Sequence, residues 1–289
     1  MSASGSTQEC FDRKGRIAAR FAKLKAEGRG ALMPFVEAYD PDPATSMALL
    51  RGLPGAGADL IEIGVPFSDP MADGPTIQLA AQRALKAGGS LAGALAMVRD
   101  FRREDDDTPI VLMGYLNPIL SYGIESFCTE AACSGVDGLI VVDLPPEEAA
   151  ELAVPAREQG LDLIRLVAPT TDEERLPRVL EGTSGFIYYV SIAGVTGTRS
   201  ATRDALADAI PRLRRHTDLP IAIGFGIRSP QQAAEAVQLA DGAVVASALI
   251  ATLADCLDER GRARPDTLRR VLDQVRELAE AVRGARVTS

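Results

Sequence analysis

Short apolar runs alternate with helix-like stretches along most of the chain. The runs predict eight β-strands, near residues 31–36, 58–64, 109–113, 137–142, 162–168, 186–191, 220–224 and 241–246. The segments between them carry helix-start signals: Ser229 stands before Pro230, and Pro146 is followed by two acidic residues. The pattern therefore predicts eight strand–helix units in succession.

Eight such units in 289 residues favour a (β/α)8 TIM barrel over a doubly wound α/β sheet. No linker rich in Pro or Gly divides the chain, so we expect one barrel domain over residues 1–289. We expect an extra N-terminal helix at 7–27, preceded by a disordered start at 1–6. The longest connection follows the second strand and has room for inserted helices at about 76–86 and 90–103.

Composition narrows the class of partner. The formal net charge of -9 provides no basic stripe to neutralise phosphates, which argues against a nucleic-acid partner. No apolar stretch approaches the ~18 residues that would span a membrane, and the first residues lack the features of a signal peptide. We therefore expect a cytoplasmic protein without a membrane partner.

The few cysteines and the single histidine limit the kinds of catalytic site that the chain can form. The four cysteines have no metal-ligand or redox spacing, and we expect them as buried or half-buried thiols: Cys10, Cys128, Cys133 and Cys256. The single histidine, His216, follows two arginines at a predicted helix end, which favours a surface role. Serine and cysteine triads and histidine-ligated zinc lack the residues they need, so catalysis must use carboxylates, hydroxyls and backbone groups.

The second predicted strand carries a carboxylate in its middle. Strand alternation puts Leu60, Glu62 and Gly64 on one face and the intervening apolar residues on the other. If the first face lines the barrel, burial should raise the pKa of Glu62 toward the range used for proton transfer at neutral pH. The alternative is a buried glutamate paired with an arginine or lysine.

Catalytic groups of such barrels gather where strands end. That rule selects Glu37, Glu62, Asp73, Asn117 and Asp143, which we expect together at one rim. For Asp143, a turn or capping role is an equally good interpretation.

Three glycine-bearing segments follow or contain the ends of the last three strands. They are Gly194–Arg199, Gly224–Gly226 and Asp241–Ala248. Backbone N–H groups in these segments, with a helix beginning after Ser247, predict a binding site for phosphate. The alternative is that the glycines serve only to form tight turns.

Residues from about 14 to 280 resemble the alpha subunit of tryptophan synthase. The motifs that carry the resemblance are Glu62–Pro70, Ala72–Gln78, Tyr115–Pro118, Asp143–Pro145, Gly194–Gly197 and Gly224–Ile227. That family cleaves indole-3-glycerol phosphate to indole and glyceraldehyde 3-phosphate without a cofactor. The resemblance implies that the indole passes to a pyridoxal-phosphate-dependent beta subunit, in an alpha2beta2 heterotetramer that makes L-tryptophan.

The resemblance also implies roles for individual residues. Glu62 would shuttle protons, and Asp73 would accept a hydrogen bond from the indole N–H. Substrate binding would involve Phe35, Tyr115, Tyr188, Thr196, Gly197, Phe225, Gly226, Ala246 and Ser247, with Phe35 and Phe225 as walls of the indole slot. Independently of the resemblance, the apolar residues of the loop 66–73 beside Asp69 predict a partner surface that includes Pro66 and Asp69, and the alternative is that Phe67 folds back onto the barrel. The loop 192–206 is expected to be a mobile lid.

The chain departs from the family pattern at several positions. Glu37, Ala38 and Tyr39 stand where Thr-Ala-Gly is usual, Ala246 replaces a glycine, and Val142 stands where many relatives carry Pro or Ala. Glu37 shares a strand face with Phe35 and should approach Glu62 or Asp73, or else turn outward to an arginine or to solvent. Tyr39 would either donate a hydrogen bond to that carboxylate or fill volume.

Two alternative functions stay open at this point. One is a stand-alone indole-3-glycerol phosphate lyase that releases indole for another pathway. The other is a weakly active barrel that activates a beta-type subunit.

Overall fold

The computed structural model describes residues 15–190, 203–224 and 226–285. All nine strands of its sheet are parallel, in the order β5-β4-β3-β2-β1-β9-β8-β7-β6. Their bounds are Ala31–Glu37 (β1), Ile61–Gly64 (β2), Ile110–Gly114 (β3), Gly138–Val141 (β4), Asp162–Leu163 (β5), Arg165–Val167 (β6), Ile187–Val190 (β7), Ile221–Gly224 (β8) and Gly242–Val245 (β9). β5 and β6 are two halves of one predicted strand, interrupted at Ile164, so the eight-unit barrel is confirmed.

Twelve α-helices lie in the described ranges. They are Arg16–Ala26 (α1), Pro43–Ala56 (α2), Pro75–Lys86 (α3), Leu91–Arg102 (α4), Leu116–Tyr122 (α5), Ile124–Ser134 (α6), Ala150–Glu158 (α7), Leu176–Leu180 (α8), Arg203–Arg214 (α9), Pro230–Leu239 (α10), Ser247–Asp255 (α11) and Thr267–Gly284 (α12). A 3-10 turn at Pro146–Glu148 precedes α7. The two helices expected after the second strand are confirmed as α3 and α4.

The N-terminal helix is shorter than the prediction within the described residues. α1 begins at Arg16, because Gly15 before it has a left-handed conformation with φ of 84°. Residues 1–6 and 7–14, which include the predicted disordered start, lie outside the described ranges.

Strand alternation creates two apolar layers. One layer fills the barrel and includes Leu60, Val111 and Val244, and α1 closes its lower end with Ile17 and other apolar residues. The other lies between the strands and the surrounding helices, and contains the residues on either side of Glu62. This arrangement puts Glu62 inside the barrel, as the alternation predicts.

Two expectations from composition have different outcomes. His216 is exposed and contacts Glu173 at 2.7 Å, which confirms its surface role. Cys128 and Cys256 are buried thiols, whereas Cys133 is disulfide-bonded, so the expectation of a free thiol is wrong there.

Across the ranges that the structure describes, no helix has the length and apolar character needed to cross a membrane.

Candidate active site

Glu62 is a fully buried carboxyl group inside the barrel. Both of its oxygens lack a hydrogen-bond partner in the described structure. Burial raises its pKa from 4.5 to about 8, because the charged form loses its hydration. The alternative of a glutamate neutralised by an arginine or lysine is therefore wrong, and the group can exchange a proton near neutral pH.

Tyr188 lies in the same interior layer as Glu62. Its ring packs so closely on Gly224 that a Cβ there would stand 2.2 Å from the tyrosine hydroxyl. Burial, and then the charges of Glu62 and Asp73, raise the Tyr188 pKa well above its usual value. Its hydroxyl consequently stays protonated and offers a neutral polar group to the interior.

Asp73 lies in the loop between β2 and α3, where Tyr115 holds it in place. The Tyr115 hydroxyl accepts a hydrogen bond from the Ala72 N–H at 3.0 Å and donates one to the Asp73 carboxylate at 2.8 Å. Burial raises the pKa of Asp73, and the hydrogen bond from Tyr115 opposes that rise. Tyr115 thus holds the loop in place and favours the ionised form of Asp73 against the effect of burial.

A cavity of about 570 Å³ opens above these groups at the carboxyl ends of the strands. Its lining residues are Phe35, Glu62, Asp73, Ile77, Met113, Tyr188, Gly226, Ile227, Arg228, Val244, Ala246 and Ser247. Seven of them are site residues expected from the sequence, so the structure brings Glu62, Asp73 and described residues of two glycine-bearing segments to one space. Thr196, Gly197 and Phe225 lie outside the described residues.

The far end of the cavity is made of backbone turns. Gly226 has φ of 89°, a conformation that favours glycine. Ala246 precedes α11 with φ of -114°, which lies outside the left-handed region that favours glycine. No side chain caps the first turn of α11 within the described structure, and a helix N-terminus of this kind attracts anions.

Several lining residues were not expected from the sequence. Ile77 and Met113 extend the apolar wall, and Arg228 is the only cation among the described residues that line the cavity. Arg228 stands two residues after Gly226 in the sequence, and this closeness to a glycine-bearing segment is the signal that could have identified it. Apolar residues such as Met113 give no such signal, because core positions look the same.

Two residues of the predicted rim do not reach this cavity. Asn117 is exposed in the first turn of α5. The Asp143 carboxylate accepts a hydrogen bond from the Leu116 N–H at 2.8 Å, which is the turn role that was the alternative for it. The expectation of a joint site is therefore wrong for Asn117 and Asp143.

Glu37 turns inward, and the alternative of an outward orientation is wrong. Its exposure is 4%, and its carboxyl lies over Gly64, where an added Cβ would stand 2.2 Å from Oε2. Burial, and then the charges of Asp73 and Asp40, raise its pKa well above the ordinary value, while Arg83 opposes them. Glu37 lines a second compartment together with Asp73.

Tyr39 does not take part in this cluster. Its ring packs on α4, where a Cβ on Gly93 would stand 2.6 Å from the Tyr39 hydroxyl. It adopts φ of 72°, a conformation that favours the glycine usual there. Tyr39 therefore fills volume beside the barrel and donates no hydrogen bond to Glu37.

The loop 66–73 divides into a buried and an exposed part. Pro66 is buried, close to Gly89, and Phe67 packs on Tyr115 with ring centroids 5.3 Å apart. Pro66 is thus not available as a contact surface in this conformation. Asp69 and Met71 are exposed, Met71 by 80%.

The predicted lid lies mostly outside the described residues. Residues 192–202 are not described, and residues 203–206 belong to α9, so they are helical instead of loop.

These features define a (β/α)8 barrel whose cavity has two carboxyl groups, Glu62 and Asp73, and glycine-bearing backbone turns in its lining. A family model described as "Tryptophan synthase alpha chain" matches residues 21–283. The tryptophan synthase alpha chain of Gluconacetobacter diazotrophicus is 69% identical over 271 residues, which cover 94% of this chain and 99% of that one. The tryptophan synthase alpha chain of Granulibacter bethesdensis is 67% identical over 274 residues, covering 95% and 98%.

Solved structures show the same barrel. Tryptophan synthase subunit alpha from Legionella pneumophila superposes with a TM-score of 0.85 at 37% identity, covering 94% of this chain and 99% of that one. A chain of Mycobacterium tuberculosis tryptophan synthase superposes with a TM-score of 0.84, also at 37% identity, with coverage of 94% and 99%. The chain belongs to the tryptophan synthase alpha chain family and is a lyase of tryptophan biosynthesis.

Proposed function

We propose that the chain cleaves indole-3-glycerol phosphate by a retro-aldol reaction into indole and glyceraldehyde 3-phosphate. The observation that carries the proposal is Glu62, a carboxyl without a hydrogen-bond partner whose pKa of about 8 makes it both acid and base near neutral pH. It lies in one cavity with Asp73 and the backbone turns at Gly226 and Ser247.

Proton movement begins and ends on Glu62. The neutral carboxyl donates its proton to carbon 3 of the indole ring, and the protonated ring becomes the electron sink. The resulting carboxylate takes the proton of the hydroxyl on the adjacent glycerol carbon. The carbon–carbon bond then breaks, its electron pair returns to the ring, and the hydroxyl carbon becomes the aldehyde, so Glu62 regains its proton.

Asp73 acts on the other side of the ring. Positive charge develops on the indole nitrogen when carbon 3 is protonated, and an ionised Asp73 accepts a hydrogen bond from that N–H. The Tyr115 hydroxyl stabilises the ionised form at 2.8 Å, and burial makes its charge more effective than in water. Phe35 and Met113 supply the apolar walls that exclude water from the ring.

The glycerol phosphate would lie at the opposite end of the cavity. Backbone N–H groups near Gly226 and at the start of α11, together with Thr196 and Gly197, are the expected phosphate donors, and Phe225 is the expected second wall. The conformation of Ala246 and the absence of a side-chain cap on α11 in the described structure support this assignment.

A beta subunit is the expected partner, because the family functions in tryptophan synthase. We propose an alpha2beta2 complex in the cytoplasm, in which the pyridoxal-phosphate-dependent subunit receives the indole. The exposed Asp69, with Met71, is the best candidate contact in the loop 66–73. Exposed apolar side chains of this kind are typical of partner surfaces.

The test is indole release from indole-3-glycerol phosphate, measured with and without a tryptophan synthase beta subunit. Strong stimulation by the beta subunit supports the synthase role. High activity that the beta subunit does not change favours a stand-alone lyase. No release in either condition, together with activation of the beta subunit, favours a weakly active partner and contradicts the proposed reaction.

A further inference from the structure

The proposed cleavage leaves one compartment of the site without a role. A second space of about 310 Å³ adjoins the main cavity, and Phe35, Asp73, Ile77 and Met113 line both of them. Its other lining residues are mainly apolar and glycine residues, with Glu37 as its second carboxyl group besides Asp73. The space is therefore an apolar extension of the indole slot with a polar group in its wall.

The Glu37 carboxyl makes no hydrogen bond to any part of the chain that the structure describes. Arg83, the cation whose charge it feels, is occupied by Asp40 through two contacts of 2.7 Å. The strand register pairs Glu37 with Gly64, whose missing side chain provides the room for the carboxyl. The backbone thus holds a polar group, 96% buried, beside the slot with its hydrogen-bonding capacity unused.

A buried group of this kind favours a ligand that supplies its missing partners. Burial, and then the charges of Asp73 and Asp40, raise the pKa of Glu37 well above its ordinary value, which favours the neutral form of its carboxyl. A neutral carboxyl donates one hydrogen bond and accepts others, and an aromatic hydroxyl does the same. A methyl group of similar size would leave the carboxyl without a partner.

The position of such a hydroxyl follows from Asp73. With the indole N–H directed to Asp73, ring carbons 6 and 7, on the nitrogen side of the ring, face the space that Asp73 shares with Glu37. We infer that this compartment selects indole rings with a hydroxyl at carbon 6 or 7, and that Glu37 is the specificity-determining residue. The inference rests on the proposed function for the orientation of the ring.

Equilibrium binding tests the inference without any catalytic step. The chain contains no tryptophan, so the fluorescence of indole reports its own binding, and other indoles can be measured by competition. The wild-type protein should bind 6- or 7-hydroxyindole about tenfold more tightly than the methylindole substituted at the same carbon. The 4- and 5-hydroxyindoles should show no such preference over their methyl counterparts.

Three variants of Glu37 test whether this residue causes the preference for a hydroxyl group over a methyl group. Glu37→Leu should reduce the hydroxyl-to-methyl ratio to about one, and Glu37→Gln, which keeps a donor and an acceptor, should retain most of it. Glu37→Thr, which carries the shorter residue usual in the family, should also lose the preference and serves if the leucine variant does not fold. Glu158→Gln, at the exposed end of α7, is the control and should leave the ratio unchanged.

Equal ratios in the wild type and Glu37→Leu would overturn the inference, as would loss of the preference in Glu158→Gln alone. Cleavage of unsubstituted indole-3-glycerol phosphate is measured in parallel. If the protein cleaves indole-3-glycerol phosphate but binds hydroxyindoles and methylindoles equally, the role of Glu37 is wrong and the proposed function still holds. If the protein prefers the hydroxyindoles but does not cleave indole-3-glycerol phosphate, the proposed function is wrong and the binding role of Glu37 still holds.

Discussion

Replacing Glu62 with glutamine should remove most of the cleavage activity and also stabilise the fold at alkaline pH. Glutamine keeps the shape of the side chain but cannot exchange a proton, and positioned acid–base groups contribute about 10²–10⁴-fold to rate. The same change removes a carboxyl that the fold prefers in its neutral form. One variant therefore tests the burial of the group and its chemistry together.

The size of the stability effect follows from the pKa. The interval from 4.5 to about 8, at about 1.4 kcal/mol for each pH unit, corresponds to about 5 kcal/mol for this fully buried group. Because the folded-state pKa is raised, the stabilising contribution of the neutral form is fully present below about pH 4.5. It is lost as the pH rises through about 8.

The assay is urea unfolding of wild type and Glu62→Gln at several pH values from about 5 to about 9. The difference in unfolding free energy should move in favour of the variant by about 1.4 kcal/mol per pH unit and level off above pH 8. Glu158→Gln, at the exposed end of α7, is the matched control and should show no comparable trend. A difference that is independent of pH would refute the buried, raised-pKa carboxyl.

Four further predictions concern the site and its surroundings. In the wild type, kcat/KM should fall as the pH rises above about 8, because the acid form of Glu62 is lost; a pH–rate profile checks this. Tyr115→Phe removes the bond that lowers the Asp73 pKa, so the acidic limb of that profile should move to higher pH, and an unmoved limb contradicts the assignment. Asp69→Ala should weaken stimulation by a beta subunit several-fold and leave unaided cleavage nearly unchanged, whereas Tyr39→Gly should leave the pH profile of unaided cleavage as it is.

The sequence by itself determined the barrel and the face on which Glu62 lies. Local periodicity is sufficient for both, because a side-chain period of two fixes what is buried on each face of a strand. The approximate positions of the strands and of the inserted helices α3 and α4 followed from the same patterns, although β2 begins three residues later than predicted and the fifth predicted strand is divided into β5 and β6. The turns at the glycine-bearing strand ends could also be predicted from the local sequence, since the geometry of a turn depends on a few neighbouring residues.

Tertiary structure alone decided how polar groups from different units combine. Asn117 and Asp143 follow the ends of their strands more closely than Asp73 does. Asp143 nevertheless bonds to the Leu116 backbone, and of these three residues only Asp73 lines the cavity. The directions of Glu37 and Tyr39 were open in the sequence. The inward turn of Glu37 depends on the space above Gly64, a neighbour on another strand.

The physical reason is the range of the interactions involved. Strand alternation, helix capping and turn formation each depend on residues a few positions apart. The sequence alone is therefore sufficient to predict them. Desolvation, hydrogen bonding and close packing depend on residues far apart in sequence, such as Tyr115 with Asp73, and exist only after the chain has folded. The sequence therefore determined which residues could do chemistry, and the fold decided which of them share one cavity.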